Sequence, residues 1–204
     1  MMVRHRVVSR FNDPSRTLFG YLLDAGGTWV VCPKCSGPAS VKVEVDEKDC
    51  FGETAELTCT SCLHRSTSLP PPTPPPPYCY GCGTRISIFR PLPKQRGMGL
   101  GPPNRRQGCG VCRRLKHGSD PYFGLPFFLK TEIGGKEFWA VNRRHLSDLR
   151  MYLGATLRER NPWIGISLTA MARLPAWTKV ASMRPKIVRT IDKMLASAER
   201  HRLT

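Results

Sequence analysis

The sequence predicts a small α+β protein assembled from several modest units: two β units, each built between cysteine pairs, then a C-terminal β-hairpin and helices. Three observations predict it. Eight of the nine cysteines fall into four Cys-x-x-Cys pairs. Short stretches of alternating apolar residues lie between paired cysteines, and a Gly-Gly turn followed by apolar residues at helical spacing occupies the last third. One large core does not fit 204 residues in which Pro (19) and Gly (18) approach a fifth of the chain and hydrophobic residues reach only 40%.

The elements follow in chain order. Residues 1–29 have mixed polarity and no clear period, and Asp24-Ala25-Gly26-Gly27 reads as a turn. The first unit, 30–68, opens on Cys32-Pro-Lys-Cys35. Val41, Val43 and Val45 then alternate with Lys42, Glu44 and Asp46, the pattern of a half-buried strand. Lys48 to Gly52 connects, and Ala55–Thr58 runs back into Cys59-Thr-Ser-Cys62, which puts Cys50 near the hairpin tip as a spare thiol. Residues 69–78 hold the run Pro70 to Pro77, a stiff spacer of about 25 Å at polyproline rise. The second unit, 79–120, runs from Cys79-Tyr-Gly-Cys82 through a short strand at Arg85–Phe89 and a Gly/Pro-rich loop to Cys109-Gly-Val-Cys112. Finally, 121–204 holds a hairpin, 127–133 and 136–141 about Gly134-Gly135, then three helices. Asn142 caps the first, over about 143–160, with Leu146, Leu149, Leu153 and Leu157 on one face. The second restarts at Asn161-Pro162 with Ile164, Leu168 and Met171 inward, and the last, about 184–201, turns Ile187, Ile191, Leu195 and Ala198 inward and Lys186, Arg189, Lys193 and Arg200 to solvent.

The cysteine spacing carries the chemistry. A two-residue gap lets a tight turn aim both sulfurs at one tetrahedral ion. Intervening stretches of 23 and 26 residues suffice for a hairpin that brings two such turns together. Two structural Zn²⁺ sites follow as the expectation, Cys32, Cys35, Cys59 and Cys62 in one and Cys79, Cys82, Cys109 and Cys112 in the other, with the stiff spacer favouring this sequential pairing over a crossed one. Disulfides are disfavoured because no secretory leader is read at the start, where Met1 to Phe11 offers only Val7–Val8 as an apolar core. Four copies beside hairpins do not suit a thioredoxin-like motif. Iron–sulfur ligation uses the same four thiolates and stays open.

At these residues, over about 30–112, the chain resembles zinc-ribbon proteins, in which two Cys-x-x-Cys knuckles at the ends of a small β-structure clamp one zinc. The resemblance implies a metal-stabilised fold of two zinc-ribbon-like β units and implies no activity. A ribbon knuckle often continues with glycine; Gly83 conforms, while Ser36, Leu63 and Arg113 depart. The tail, with Trp139-Ala140-Val141-Asn142 leading into a helix, is similar to that of small uncharacterised bacterial zinc-ribbon proteins.

Charge points to the partner. Lys plus Arg number 32 against 15 Asp plus Glu, a net of +17. Residues 1–69 balance, so the whole excess lies in 70–204. Its densest cluster is Lys94, Arg96, Arg105, Arg106, Arg113, Arg114 and Lys116, and the tail alone carries +9. A one-sided field of this size attracts polyanions, and those seven residues are the expected phosphate contacts of a DNA- or RNA-binding protein. Four thiolates on each Zn²⁺ leave a net −2 per site, which lowers the total to about +13 and leaves the tail untouched. A protein–protein adapter and a zinc- or redox-responsive regulator using Cys50 are the alternatives.

Nothing in the sequence forms a catalytic constellation. A zinc deaminase needs His-x-Glu before its Pro-Cys-x-x-Cys, and the five histidines (His5, His64, His117, His145, His201) are scattered. Gly97 to Gly101 lacks the dinucleotide-binding spacing, and no Walker-type Gly-Lys-Ser/Thr occurs. No apolar run approaches the roughly 20 residues that span a bilayer. The expectation is a soluble, cytoplasmic protein, nucleoid-associated if it binds DNA.

Overall fold

The computed structural model describes residues 9–45, 52–68, 115, 118–159 and 169–201. Residues 79–114 of the second cysteine unit, with its four cysteines and basic loop, lie outside the described residues, as do the polyproline run and Cys50. The elements are β1 (Arg10–Asn12), α1 (Leu18–Leu22), β2 (Thr28–Val31), β3 (Pro38–Val45), β4 (Gly52–Cys59), β5 (Arg65–Ser68), β6 (Lys130–Glu132), β7 (Glu137–Trp139), α2 (Arg143–Gly154), β8 (Leu157–Glu159), α3 (Ala176–Lys179) and α4 (Arg184–Arg200).

Four strands make an antiparallel sheet in the order β2-β3-β4-β5. Its register pairs Ala39 with Cys59, Val41 with Leu57 and Val43 with Ala55, so the alternating valines of β3 share one face with the apolar residues of β4. Ala39, Val41, Ala55 and Leu57 are buried. The other face is polar, with Lys42 opposite Glu56 and the Thr54 hydroxyl donating to Glu44 Oε2 at 3.2 Å.

This sheet and the C-terminal module share a core. β2 pairs with β3 along one edge, and its other edge receives the chain near residues 126–141. The Trp29 amide donates to the Val141 carbonyl (2.8 Å), the Phe128 amide to the Trp29 carbonyl (2.9 Å) and the Val31 amide to the Pro126 carbonyl (2.9 Å). Trp29, Tyr21, Phe127, Leu146, Leu149, Leu153, Ile187 and Ile191 are fully buried in one cluster. Burying such a side chain contributes about 1.5–3 kcal/mol. Among the described residues no helix is long and apolar enough to cross a membrane.

The tail hairpin forms where the Gly-Gly pair predicts it, with shorter strands. Gly134 and Gly135 sit at φ 61° and 74°. Ile133 and Lys136 exchange backbone hydrogen bonds of 2.9 and 3.3 Å, as a two-residue turn with left-handed twist at both central positions requires. α2 starts on its expected cap, the Asn142 side chain accepting from the His145 amide at 2.8 Å. It ends at Gly154 instead of near 160. Ala155 is extended, and the Thr156 and Leu157 amides both donate to the Ser9 carbonyl. There the chain becomes β8, parallel to β1, and Leu157 is 42% exposed instead of lying on the core face. A partner strand some 145 positions away outcompetes the last helical turn, and helical spacing along one segment holds no trace of it. Met171 is buried as expected, but 170–174 form turns and helix resumes only after Pro175, as α3; Ile164 and Leu168 lie outside the described residues. α4 matches expectation, with Ile187, Ile191 and Ala198 buried.

Candidate metal centre

Two turns at one end of the sheet bring four cysteines together. Cys32 follows the last residue of β2, and Cys59 ends β4. The start of β3 lies between them, with Pro38 opposite Val31 and Ala39 opposite Cys59. The register of three strands therefore sets the separation of the two knuckles.

Each knuckle closes on its own backbone. In the first, the Cys32 amide donates to the Gly37 carbonyl (2.8 Å) and the Ser36 amide to the Cys32 carbonyl (3.0 Å). In the second, the Cys59 amide donates to the His64 carbonyl (2.9 Å). Ser36 and Leu63, each just past the second cysteine, both lie at φ 59°. Glycine adopts that conformation freely, and it costs other residues about 1–2 kcal/mol. The two departures from the ribbon pattern thus keep the backbone that glycine would have supplied. Gly37 has a separate role that the sequence reading misses. A Cβ there would stand 2.9 Å from Ser61 Oγ and 3.3 Å from Cys35 Sγ, so the second knuckle packs against bare backbone. The signal was a glycine two places after Cys35.

The sulfurs form a compact cage. Cys32 Sγ lies 3.7 Å from Cys62 Sγ, and Cys35 Sγ lies 3.6 Å from Cys59 Sγ. All four fall within 4.8 Å of one another. With metal–sulfur bonds of about 2.3 Å, a regular tetrahedron has edges of about 3.8 Å. The donor set and its spacing therefore fit one tetrahedral ion, and this cluster can hold a metal. In each pair the first cysteine is buried and the second exposed. His64 lends its carbonyl to the turn, and its imidazole is outside the cluster.

Backbone amides prepare the sulfurs for charge. The Lys34 amide points at Cys32 Sγ (3.4 Å) and the Cys62 amide at Cys59 Sγ (3.5 Å). Burial opposes ionisation of Cys59, but the Cys62 and Ser61 amides and the neighbouring thiols outweigh it and draw this thiol down to about 6. At Cys35 the Gly37 amide favours the thiolate, yet the adjacent sulfurs, Cys62 first, and some loss of solvation prevail and push it up to about 12. The first negative charge thus settles on the buried sulfur and discourages a second. A cation relieves that repulsion, so metal binding releases protons and weakens in acid.

Of the expected site residues, the structure brings together Cys32, Cys35, Cys59 and Cys62. Cys79, Cys82, Cys109 and Cys112 lie outside the described residues, as do Lys94, Arg96, Arg105, Arg106, Arg113, Arg114 and Lys116. A second polar group escaped the sequence reading. Behind β2, Tyr21 Oη donates to Asp148 Oδ2 at 2.7 Å, and the His145 ring stacks on Tyr21 at 4.5 Å. The Asn142 side-chain amide donates to the Tyr21 and Gly27 carbonyls at 2.8 and 3.2 Å. The available signal was His145 and Asp148 interrupting the leucine face of α2. This group cements α1, β2 and α2.

The chain matches no protein-family model, no curated protein and no solved structure.

Proposed function

We propose that this chain is a non-enzymatic zinc-ribbon protein that binds nucleic acid, DNA or RNA, through its basic second half. The observation that carries the reading is the cage of Cys32, Cys35, Cys59 and Cys62. Four thiolates fill a tetrahedral shell and leave no position for substrate or a reactive water, which suits a scaffold and not a catalyst. A span of 4.8 Å suits a single ion and is too small for several irons and their bridging sulfides, which disfavours an iron–sulfur cluster. Cys79, Cys82, Cys109 and Cys112 repeat the spacing and supply a second site of the same kind. What such a scaffold displays is charge, +17 in all, with the excess beyond residue 69. Lys94, Arg96, Arg105, Arg106, Arg113, Arg114 and Lys116 are its phosphate contacts.

Metal content and salt-titrated binding test the reading. Two equivalents of zinc are expected, falling to one in Cys109→Ser. Affinity for random-sequence DNA or RNA is expected to fall steeply between about 50 and about 300 mM salt. Binding that does not change over that range, or a metal-free protein that still unfolds cooperatively on heating, overturns it.

A further inference from the structure

Lys186, Arg189, Lys193 and Arg200 of α4 are all exposed. At about 100° per residue they fall within about 60° of arc, roughly opposite the buried Ile187, Ile191 and Ala198. The row is about 21 Å long at helical rise.

The electrostatics of this row differ from those of an ordinary solvated face. α4 contains two acids, Asp192 and Glu199, and α2 takes both: Arg150 pairs with Asp192, and Arg143 with Glu199 at 2.6 Å. None of the four row cations joins an ion pair found among the described residues. The row also works against the helix that carries it. Arg189 and Lys193 are like charges four residues apart, which destabilises a helix. Lys186 sits in a first turn that holds no acid and follows Arg184, at the end where the helix dipole already repels cations. Stability alone would place the charges otherwise.

We infer that this row docks the phosphate backbone of duplex nucleic acid; the inference rests on the nucleic-acid reading above and names where and what the tail binds. A rigid row of about 21 Å matches roughly six base pairs of duplex at about 3.4 Å each. α4 has no aromatic residue on which an unstacked base could lie, which disfavours a single strand. It has no Asn or Gln to read adenine edges, and its cations serve as phosphate contacts.

The test uses the full-length zinc-loaded chain, a random-sequence DNA duplex of about 24 base pairs and an oligo-dT strand of equal length, titrated with salt. The variant Lys186→Gln/Arg189→Gln/Lys193→Gln/Arg200→Gln changes exposed positions only, and unchanged metal content with a melting temperature no lower than the wild type's shows that it is folded. Each phosphate contact contributes about 0.9 to the slope of log affinity against log salt, so the four together account for about 3.6. Between about 0.1 and about 0.3 M salt, the wild type then loses about fifty-fold more affinity for the duplex than the variant does. Arg189→Lys/Arg200→Lys, which keeps all four charges, should retain the wild-type slope. If the wild type binds duplex with a steep salt dependence and the glutamine variant has the same slope, this inference is overturned while the nucleic-acid reading stands. If oligo-dT binds as tightly as the duplex, the assignment to duplex is overturned. If neither probe binds at low salt, and a duplex RNA of the same length does not bind either, both readings fall together.

Discussion

Acid should unfold this protein through His145. Its ring is buried on α2, stacked on Tyr21, with Nδ1 accepting a long hydrogen bond from the Val141 amide (3.4 Å) and Nε2 without a partner among the described residues. Burial, with no carboxylate in contact among the described residues, holds its pKa down, from 6.5 to about 3. In the unfolded chain the imidazole takes up a proton near pH 6.5; in the folded chain it stays neutral. The associated stability is therefore fully present above about pH 6.5 and is lost as pH falls toward 3. At about 1.4 kcal/mol per unit, the loss is about 2 kcal/mol at pH 5 and at most about 5 kcal/mol near pH 3. His145→Phe keeps the stack on Tyr21 and cannot titrate. It leaves the Val141 amide unbonded, a cost of about 1–3 kcal/mol that is the same at every pH. The assay is urea unfolding of both proteins at pH 7.5 and pH 5. Metal loss in acid affects both alike, so the difference of differences isolates the histidine. The wild type should lose about 2 kcal/mol more than the variant over this range. Parallel losses would refute the reasoning and mean that His145 is solvated or partnered in solution.

Three further outcomes follow from the same geometry. Cys62→Ser removes an exposed sulfur from the cage and should cost one metal equivalent by mass spectrometry together with a marked drop in melting temperature; full occupancy would contradict the four-sulfur shell. Leu63→Gly should stabilise by about 0.5–1 kcal/mol in chemical denaturation, since glycine relieves the strained φ of 59° and the leucine is 78% exposed. Asn142→Ala removes a helix cap and the donor to two buried carbonyls, and should destabilise by about 3 kcal/mol, seen as a melting point lowered by about 6–12 °C.

Local rules made part of this fold legible in advance. The valine alternation of β3, the Gly134-Gly135 turn, the Asn142 cap and the inward face of α4 each depend on residues close together in sequence, and each is where those rules put it. The first cysteine cluster was legible because each knuckle is a local turn and a hairpin joins the two. What escaped was long-range. Residues 1–29 show no period because β1 finds its partner in β8, while Trp29 is buried between β3 and the chain near 126–141. Ser36 and Leu63 hid their backbone conformation because non-glycine residues rarely adopt it. His145 and Asp148 looked like breaks in an apolar stripe, and only the approach of Tyr21 from α1 turns them into a satisfied network.

β2 joins the cysteine cage to the rest of the molecule. Its last residue precedes Cys32, while one residue inside it Trp29 bonds to Val141 and Phe128 and fills the centre of the core. The knuckle can hold its sulfurs at 3.6–3.7 Å only while β2, β3 and β4 keep register. The tail module can keep residues 126–128 and 141 in place only while β2 is there to bond. Metal binding at its end and tail packing along its length would therefore stabilise the same strand, and loss of either would loosen the other. Hydrogen exchange with and without a chelator measures this coupling. On chelation the amides of Trp29, Val31 and Phe128 should lose protection along with those of β3 and β4, with α2 following as Trp29 loosens. If β3 and β4 open while Phe128 and α2 stay as protected as before, the sheet and the tail are separate cooperative units, and the metal serves the sheet alone.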